Sequence, residues 1–218
     1  YNDPESPECL MTNAVVRYDV RDNVLWLSTY YERGLRRAVL LEQPAREWMV
    51  QTSVADPISN GVRALMRDSR EHIWVGTKTG ELLHYDKQYR LLQRYDMGSD
   101  KRVMIYAIKE DNRGRVWVGT RYDGLFVLEQ RGDHYVVTKH FKHNSKDIYS
   151  LSSNHIYSIE QDQRGGIWIA TYGGGVNLYD EAQNRFYHSE NLFVNYPIQE
   201  ADRVRWLLCD AQGRMLAG

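Results

Sequence analysis

A Trp-centred hairpin recurs four times in this chain, and a fifth copy is begun at the C-terminal end. The copies read NVLWLSTYYERGLRRAVL (23–40), EHIWVGTKTGELLHYD (71–86), GRVWVGTRYDGLFVLE (114–129) and GGIWIATYGGGVNLYD (165–180), followed by GRMLAG (213–218). Between the equivalent positions Trp26, Trp74, Trp117, Trp168 and Leu216 the spacing is 48, 43, 51 and 48 residues. That period belongs to propellers and other tandem arrays, whose single units cannot bury an apolar face alone.

Each copy is preceded by a strand-length apolar stretch: VVRYD (15–19), VRALMRD (62–68), IYAIKED (105–111), IYSIEQD (156–162) and VRWLLCD (204–210). Asp68, Asp111, Asp162 and Asp210 each stand six residues before the Trp position, and Glu71, Gly114, Gly165 or Gly213 follows three residues later. An Asp opening a turn accepts hydrogen bonds from amides two or three residues on, and a Gly supplies the positive φ that closes it. The Trp strand ends at Thr29, Thr77, Thr120 or Thr171. A Gly-containing turn then leads to a third strand such as VNLYDE (176–181), and a fourth such as RFYHSE (185–190), HYVVTKHF (134–141) or LLQRYD (91–96). Four antiparallel strands per unit make a propeller blade. The expected fold is all-β, an incomplete β-propeller with about four and a half blades. Its segments are an irregular 1–14, blades at 15–57, 58–99, 100–147 and 148–197, and a truncated blade at 198–218, all in one propeller domain. In it Trp26, Trp74, Trp117 and Trp168 fill the space between blades.

Composition narrows the partners. With 28 basic and 29 acidic residues the chain is nearly neutral, which argues against a phosphate-tracking surface, so no nucleic acid is expected on this region. Sixteen Tyr and six Trp against four Phe favour rings with an apolar body and a polar tip. Cys9 and Cys209 form no zinc spacing or disulfide framework, and whether they are free is open. No apolar run approaches the ~20 residues that span a bilayer. The opening YNDPESPE does not read as a signal peptide, and the interrupted fifth copy reads as part of a longer chain.

The combination of an apolar strand, Asp-x-x-Gly, an apolar-Trp-apolar-Gly-Thr hairpin and a Gly-rich turn before an apolar-x-x-Tyr-Asp strand resembles the two-component regulator propeller repeat. It is clearest in SNHIYSIEQDQRGGIWIATYGGGVNLYD (153–180) and weakest over 1–14 and 35–57. The Gly-His…Trp-Asp signature of WD40 repeats is absent from it. The resemblance implies the periplasmic or extracellular sensor region of an inner-membrane hybrid two-component histidine kinase, with blades belonging to a seven-bladed ring. The kinase itself would lie outside residues 1–218. Many members govern polysaccharide use.

In a propeller the turn between second and third strands and the connection between blades share one face, where loops on a rigid scaffold carry function. The first set offers Tyr30, Tyr31, Lys78, Arg121, Tyr122, Asp123 and Tyr172, and the second Asn60, Asn154 and His155. Arg63, Tyr106, Tyr157 and Arg205 each stand five residues before the repeated Asp and form a ring near the channel. Flat aromatic faces with Arg, Asn and Asp suit an oligosaccharide. No nucleophile with a neighbouring base is visible, so no catalytic residue and no cofactor is expected. His140-x-x-His143 on a fourth strand would put its rings on opposite faces, and the Asp-x-x-Gly turns lack the dense oxygen ligands of calcium loops; no metal is expected. Three readings follow: a non-catalytic ligand sensor, a propeller lyase or glycosidase fragment, and a protein-interaction scaffold. The remaining blades of the parent chain are its expected partners, and open strand edges invite a homodimer.

Overall fold

The computed structural model describes the strand backbones within residues 15–48 and, with side chains, residues 61–98, 103–191 and 202–218. Trp26, Tyr30, Tyr31, Asn60 and Cys9 therefore have side chains outside the described residues. Among the described residues every regular element is a β-strand, and no helix is long and apolar enough to cross a membrane. The strands form four four-stranded sheets and one hairpin, each ordered by sequence.

The first sheet comprises β1 (Val15–Arg21), β2 (Val24–Thr29), β3 (Leu35–Val39) and β4 (Gln43–Trp48). β5 (Val62–Arg67), β6 (Ile73–Thr77), β7 (Glu81–Tyr85) and β8 (Leu91–Asp96) form the second. The third holds β9 (Met104–Glu110), β10 (Val116–Arg121), β11 (Leu125–Arg131) and β12 (His134–Phe141). The fourth holds β13 (Ile156–Gln161), β14 (Ile167–Thr171), β15 (Gly175–Asp180) and β16 (Arg185–Tyr187), and β17 (Leu207–Cys209) pairs with β18 (Met215–Ala217). This is the blade architecture of an unclosed all-β propeller. The chain divides into two compact units, Tyr1–Ile105 and Tyr106–Gly218.

Antiparallel pairing puts β10 and β14 in the middle of their sheets, where both faces are covered and every residue of VWVGTR but Arg121 and of IWIAT but Trp168 is buried. The outer β12 alternates between exposed and covered residues, as a half-solvated strand does. In the second unit the main core joins Trp117, Leu125 and Val127 to Ile156, Ile167, Ile169, Tyr179 and Phe186. Trp117 is fully buried and meets Tyr179 edge-on at 5.3 Å, so it fills the space between the third and fourth sheets. Partly buried Trp168 packs with Val204 and Leu207 at the final hairpin. In the first unit Trp74 is fully buried and stacks on His84 at 4.0 Å.

The repeated Asp does more than the expected turn. Asp111 Oδ1 accepts the amides of Arg113 and Arg115, while Oδ2 accepts the Trp117 indole N–H at 2.8 Å. Asp68 with Trp74 and Asp162 with Trp168 repeat the arrangement. The amides lie two and four residues on, rather than two and three. Glu71, Gly114, Gly165 and Gly213 all adopt positive φ, between 69° and 89°.

Two expected strands are shorter. VRWLLCD is a strand only over Leu207–Cys209; Trp206 still exchanges backbone bonds with Gly218, while the Val204 amide leaves for the Thr171 carbonyl. RFYHSE pairs only over Arg185–Tyr187, because the His188 amide turns to the Asn191 side chain. β12 ends at Phe141, so His143 falls beyond it: its amide donates to Asn154 Oδ1 and its Nδ1 meets the Leu151 carbonyl. His140 stacks on Phe126 at 3.8 Å, and these two histidines do not converge. Cys209 forms no disulfide among the described residues.

Candidate functional site

The second unit gathers most of the residues that the repeat singled out. Tyr106 stands on β9, Tyr157 on β13 and Tyr172 in the turn after β14. Their rings form a row, 4.8 Å from Tyr106 to Tyr157 and 5.7 Å from Tyr157 to Tyr172, tilted by 35° and 32°. The pairing of β13 with β14 shifts register at Tyr157, between Ile156 and Ser158. An extra residue of that kind bends the strand and re-aims its side chain. Arg63 occupies the same shifted position in β5, between Val62 and Ala64.

Beside this row lies the turn from β10 to β11. Tyr122 is exposed and holds a φ of 84°, an uncommon conformation for a bulky side chain and one that concentrates at functional sites. The Arg121 guanidinium sits 4.8 Å above the Tyr122 ring, and His155 meets that ring edge-on at 4.7 Å. Thus the turn inside one blade and the connection into the next do come together, as the loop argument anticipates. Burial weakens Arg121 as a cation, but the hydrogen bond to Tyr106 and the neighbouring Tyr106, Tyr122 and Tyr157 phenols together outweigh it and raise its pKa. Burial and the nearby Arg121 lower the His155 pKa, which favours the neutral ring. For Tyr157, burial and Tyr106 raise the phenol despite Arg121 and Arg205, keeping it protonated.

At the other end of the row, the guanidinium groups of Arg203 and Arg205 lie 5.5 and 5.8 Å from the Tyr172 ring. Arg203 stands seven residues before Asp210, as His155 does before Asp162, but it escaped sequence reasoning. A backbone bridge to Tyr172 places it, aided by the Asp202 carbonyl, which accepts the amides of Gly173, Gly174 and Gly175. The only sequence signal for this capture is the run of three glycines.

Other expected residues have local duties. Asp123 is ion-paired with Lys142 and lies 3.5 Å from His140 Nε2, both on or just after β12. Asn154 spends its side-chain oxygen on the His143 amide, and its carbonyl accepts from Gly124. Arg63 and Lys78 belong to the first unit; the Lys78 amide donates to the Gly61 carbonyl. The site is thus a tyrosine row flanked by arginines, able to stack flat apolar faces and donate multiple hydrogen bonds.

A second cluster appears in the first unit, where Asp68, His72 and His84 bring one ligand atom each within 4.8 Å of one another. Burial, with the neighbouring His72, lowers the His84 pKa to about 4.

Among curated proteins no match is found. The fold is similar to the extracellular domain of a protein described as a hybrid two-component system from B. thetaiotaomicron, with 21% identity and a TM-score of 0.76 over 99% of this chain and 27% of that one. Another extracellular domain so described, from the same organism, gives 21% identity and a TM-score of 0.70 over 94% of this chain and 28% of that one. The Swd1 β-propeller domain of Myceliophteria thermophila gives 11% identity and 0.66 over 94% of this chain and 61% of that one. The chain thus spans 27% and 28% of the two extracellular domains. A family model, the two-component regulator propeller, matches residues 56–79, 100–122 and 150–173. Three of the five hairpins thus lie in or overlap segments that match the two-component regulator propeller repeat.

Proposed function

We propose that this chain is part of the extracytoplasmic, non-catalytic sensor region of a membrane-bound two-component regulator, and that its ligand is an oligosaccharide. The tilted row Tyr106–Tyr157–Tyr172, with Arg121, Arg203 and Arg205 beside it, carries the reading. Tyrosine faces stack on sugar rings, and guanidinium groups pair with hydroxyls or carboxylates. Signalling would follow from differential affinity, because a ligand shifts a receptor only by as much as it binds one arrangement better. The repeat family and the extracellular domains of similar fold support the sensor assignment.

Calorimetric titration with a panel of neutral and uronic oligosaccharides tests it. One saturable ligand is expected, with binding lost in Tyr157→Ala and weakened about tenfold or more in Arg121→Gln, roughly 1.4 kcal/mol. A panel without any saturable member, or one whose binding ignores both variants, overturns the reading.

A further inference from the structure

The second sheet departs from its siblings at two positions around the repeated Asp. Where the third copy has Arg115 and the final hairpin Arg214, each donating a guanidinium N–H to its Asp at 2.6 Å, the second copy has His72. Opposite the Trp, where Trp117 pairs with Val127 and Trp168 with Leu178, Trp74 pairs with His84. An arginine and an aliphatic residue are thus exchanged for two imidazoles, and one of these is 3% exposed inside the sheet. Burying a polar ring where an aliphatic side chain serves elsewhere is costly unless its nitrogens have work.

Their nitrogens converge. His72 Nδ1 lies 2.9 Å from His84 Nε2, and the two lie 3.9 and 4.0 Å from Asp68 Oδ2. From these positions we infer that Asp68, His72 and His84 form a binding site for a divalent late transition ion, zinc foremost. Tetrahedral zinc ligands stand about 3.3 Å apart. Opening the His–His pair slightly and drawing in the carboxylate, each by roughly half an ångström, reaches that spacing.

The donor set agrees. Two imidazoles and a carboxylate suit zinc and its neighbours, not calcium or magnesium, which take oxygen. Asp68 Oδ1 is committed to the Arg70 and His72 amides, while among the described residues Oδ2 accepts the Trp74 indole N–H and keeps a lone pair. The hydrogen now held between the two nitrogens can move to the far nitrogen of its own ring. Both neutral rings then present lone pairs and no proton is lost. Stacking on Trp74 orients His84. Partly exposed His72 leaves a way in for the ion and a position for water. Arg70, 3.7 Å from Oδ2, opposes the charge from a partly exposed side chain.

The test titrates Zn²⁺ into the metal-stripped 218-residue chain by calorimetry, with Co²⁺ absorption as the spectroscopic readout. One saturable equivalent is expected, with ligand-field bands for bound Co²⁺. His72→Arg recreates the Arg–Asp pairing of the third copy and the final hairpin, and His84→Val the aliphatic position of the third copy, so both variants retain the fold, checked by circular dichroism. Each is expected to lose at least about 100-fold in affinity together with the bands, whereas Arg70→Gln tightens binding. Absence of saturable binding in the unaltered chain overturns the site. So does binding or a Co²⁺ spectrum unchanged in both histidine variants.

Discussion

One carboxylate organises each hairpin, and Asp111 shows how much rests on it. Its Oδ2 accepts from the Trp117 indole and from Arg115 Nε, both covered, while Oδ1 holds two amides. Asp111→Asn would keep the amide bonds but turn an NH₂ toward two donors. A cost of about 2 kcal/mol is expected from unfolding in urea, because buried donors lose their acceptor. Trp117→Phe removes one of those donors, so its effect on top of Asp111→Asn falls short of the sum of the two. The same chemistry sets an acid limit. Burial alone would raise the Asp162 carboxyl; the Trp168 indole and the Gly166 and Arg164 amides outweigh it and hold the carboxyl below its usual range. Because the folded pKa is depressed, this stabilisation is complete above the unfolded value of about 3.9 and is lost as pH falls through the folded one. Asp162→Asn is expected to flatten that acid limb of a pH-dependent unfolding curve and to lower stability at pH 7.

Two glycines in the third sheet serve elements for opposite reasons, and one substitution separates them. At Gly119 on β10 an added Cβ falls well inside van der Waals contact with Ile156 of β13 and crowds Ala107. At Gly114 nothing lies within 4 Å, but φ is 74°. Gly119→Ala is therefore expected to cost about 2 kcal/mol or more by forcing strands apart, against about 1 kcal/mol for Gly114→Ala through backbone strain. Asn tolerates the left-handed conformation, so Gly114→Asn should recover most of the loss, whereas Gly119→Asn should deepen it; thermal melting distinguishes the two. At this scale the sequence was readable: alternation and turn residues place β8 and β12 to the residue, since their boundaries follow from local chemistry. The overextended fourth strand at 185–190 was not, because His188 leaves the sheet for Asn191, a side-chain contact that periodicity does not carry.

Across the molecule, the site was legible as positions and not as contacts. Counting back from Asp111 and Asp162 finds Tyr106 and Tyr157, yet no spacing says that β13 shifts register at Tyr157, or that the Asp202 carbonyl captures three glycine amides and leaves Arg203 beside Tyr172. The histidine pair at 72 and 84 was equally hidden, because strand pairing joins residues that sequence separates. Hydrogen exchange with a saturating oligosaccharide tests the whole placement. Ligand at 100 times its dissociation constant stabilises what it binds by about 2.7 kcal/mol, equal to about a hundredfold slower exchange wherever opening releases the ligand. All the tyrosines of the row belong to Tyr106–Gly218, so slowing is expected in β13, β14 and the β10–β11 turn. Protection of β5 and β6 in their place would move the ligand to Arg63 and Lys78, and the tyrosine row would lose its role.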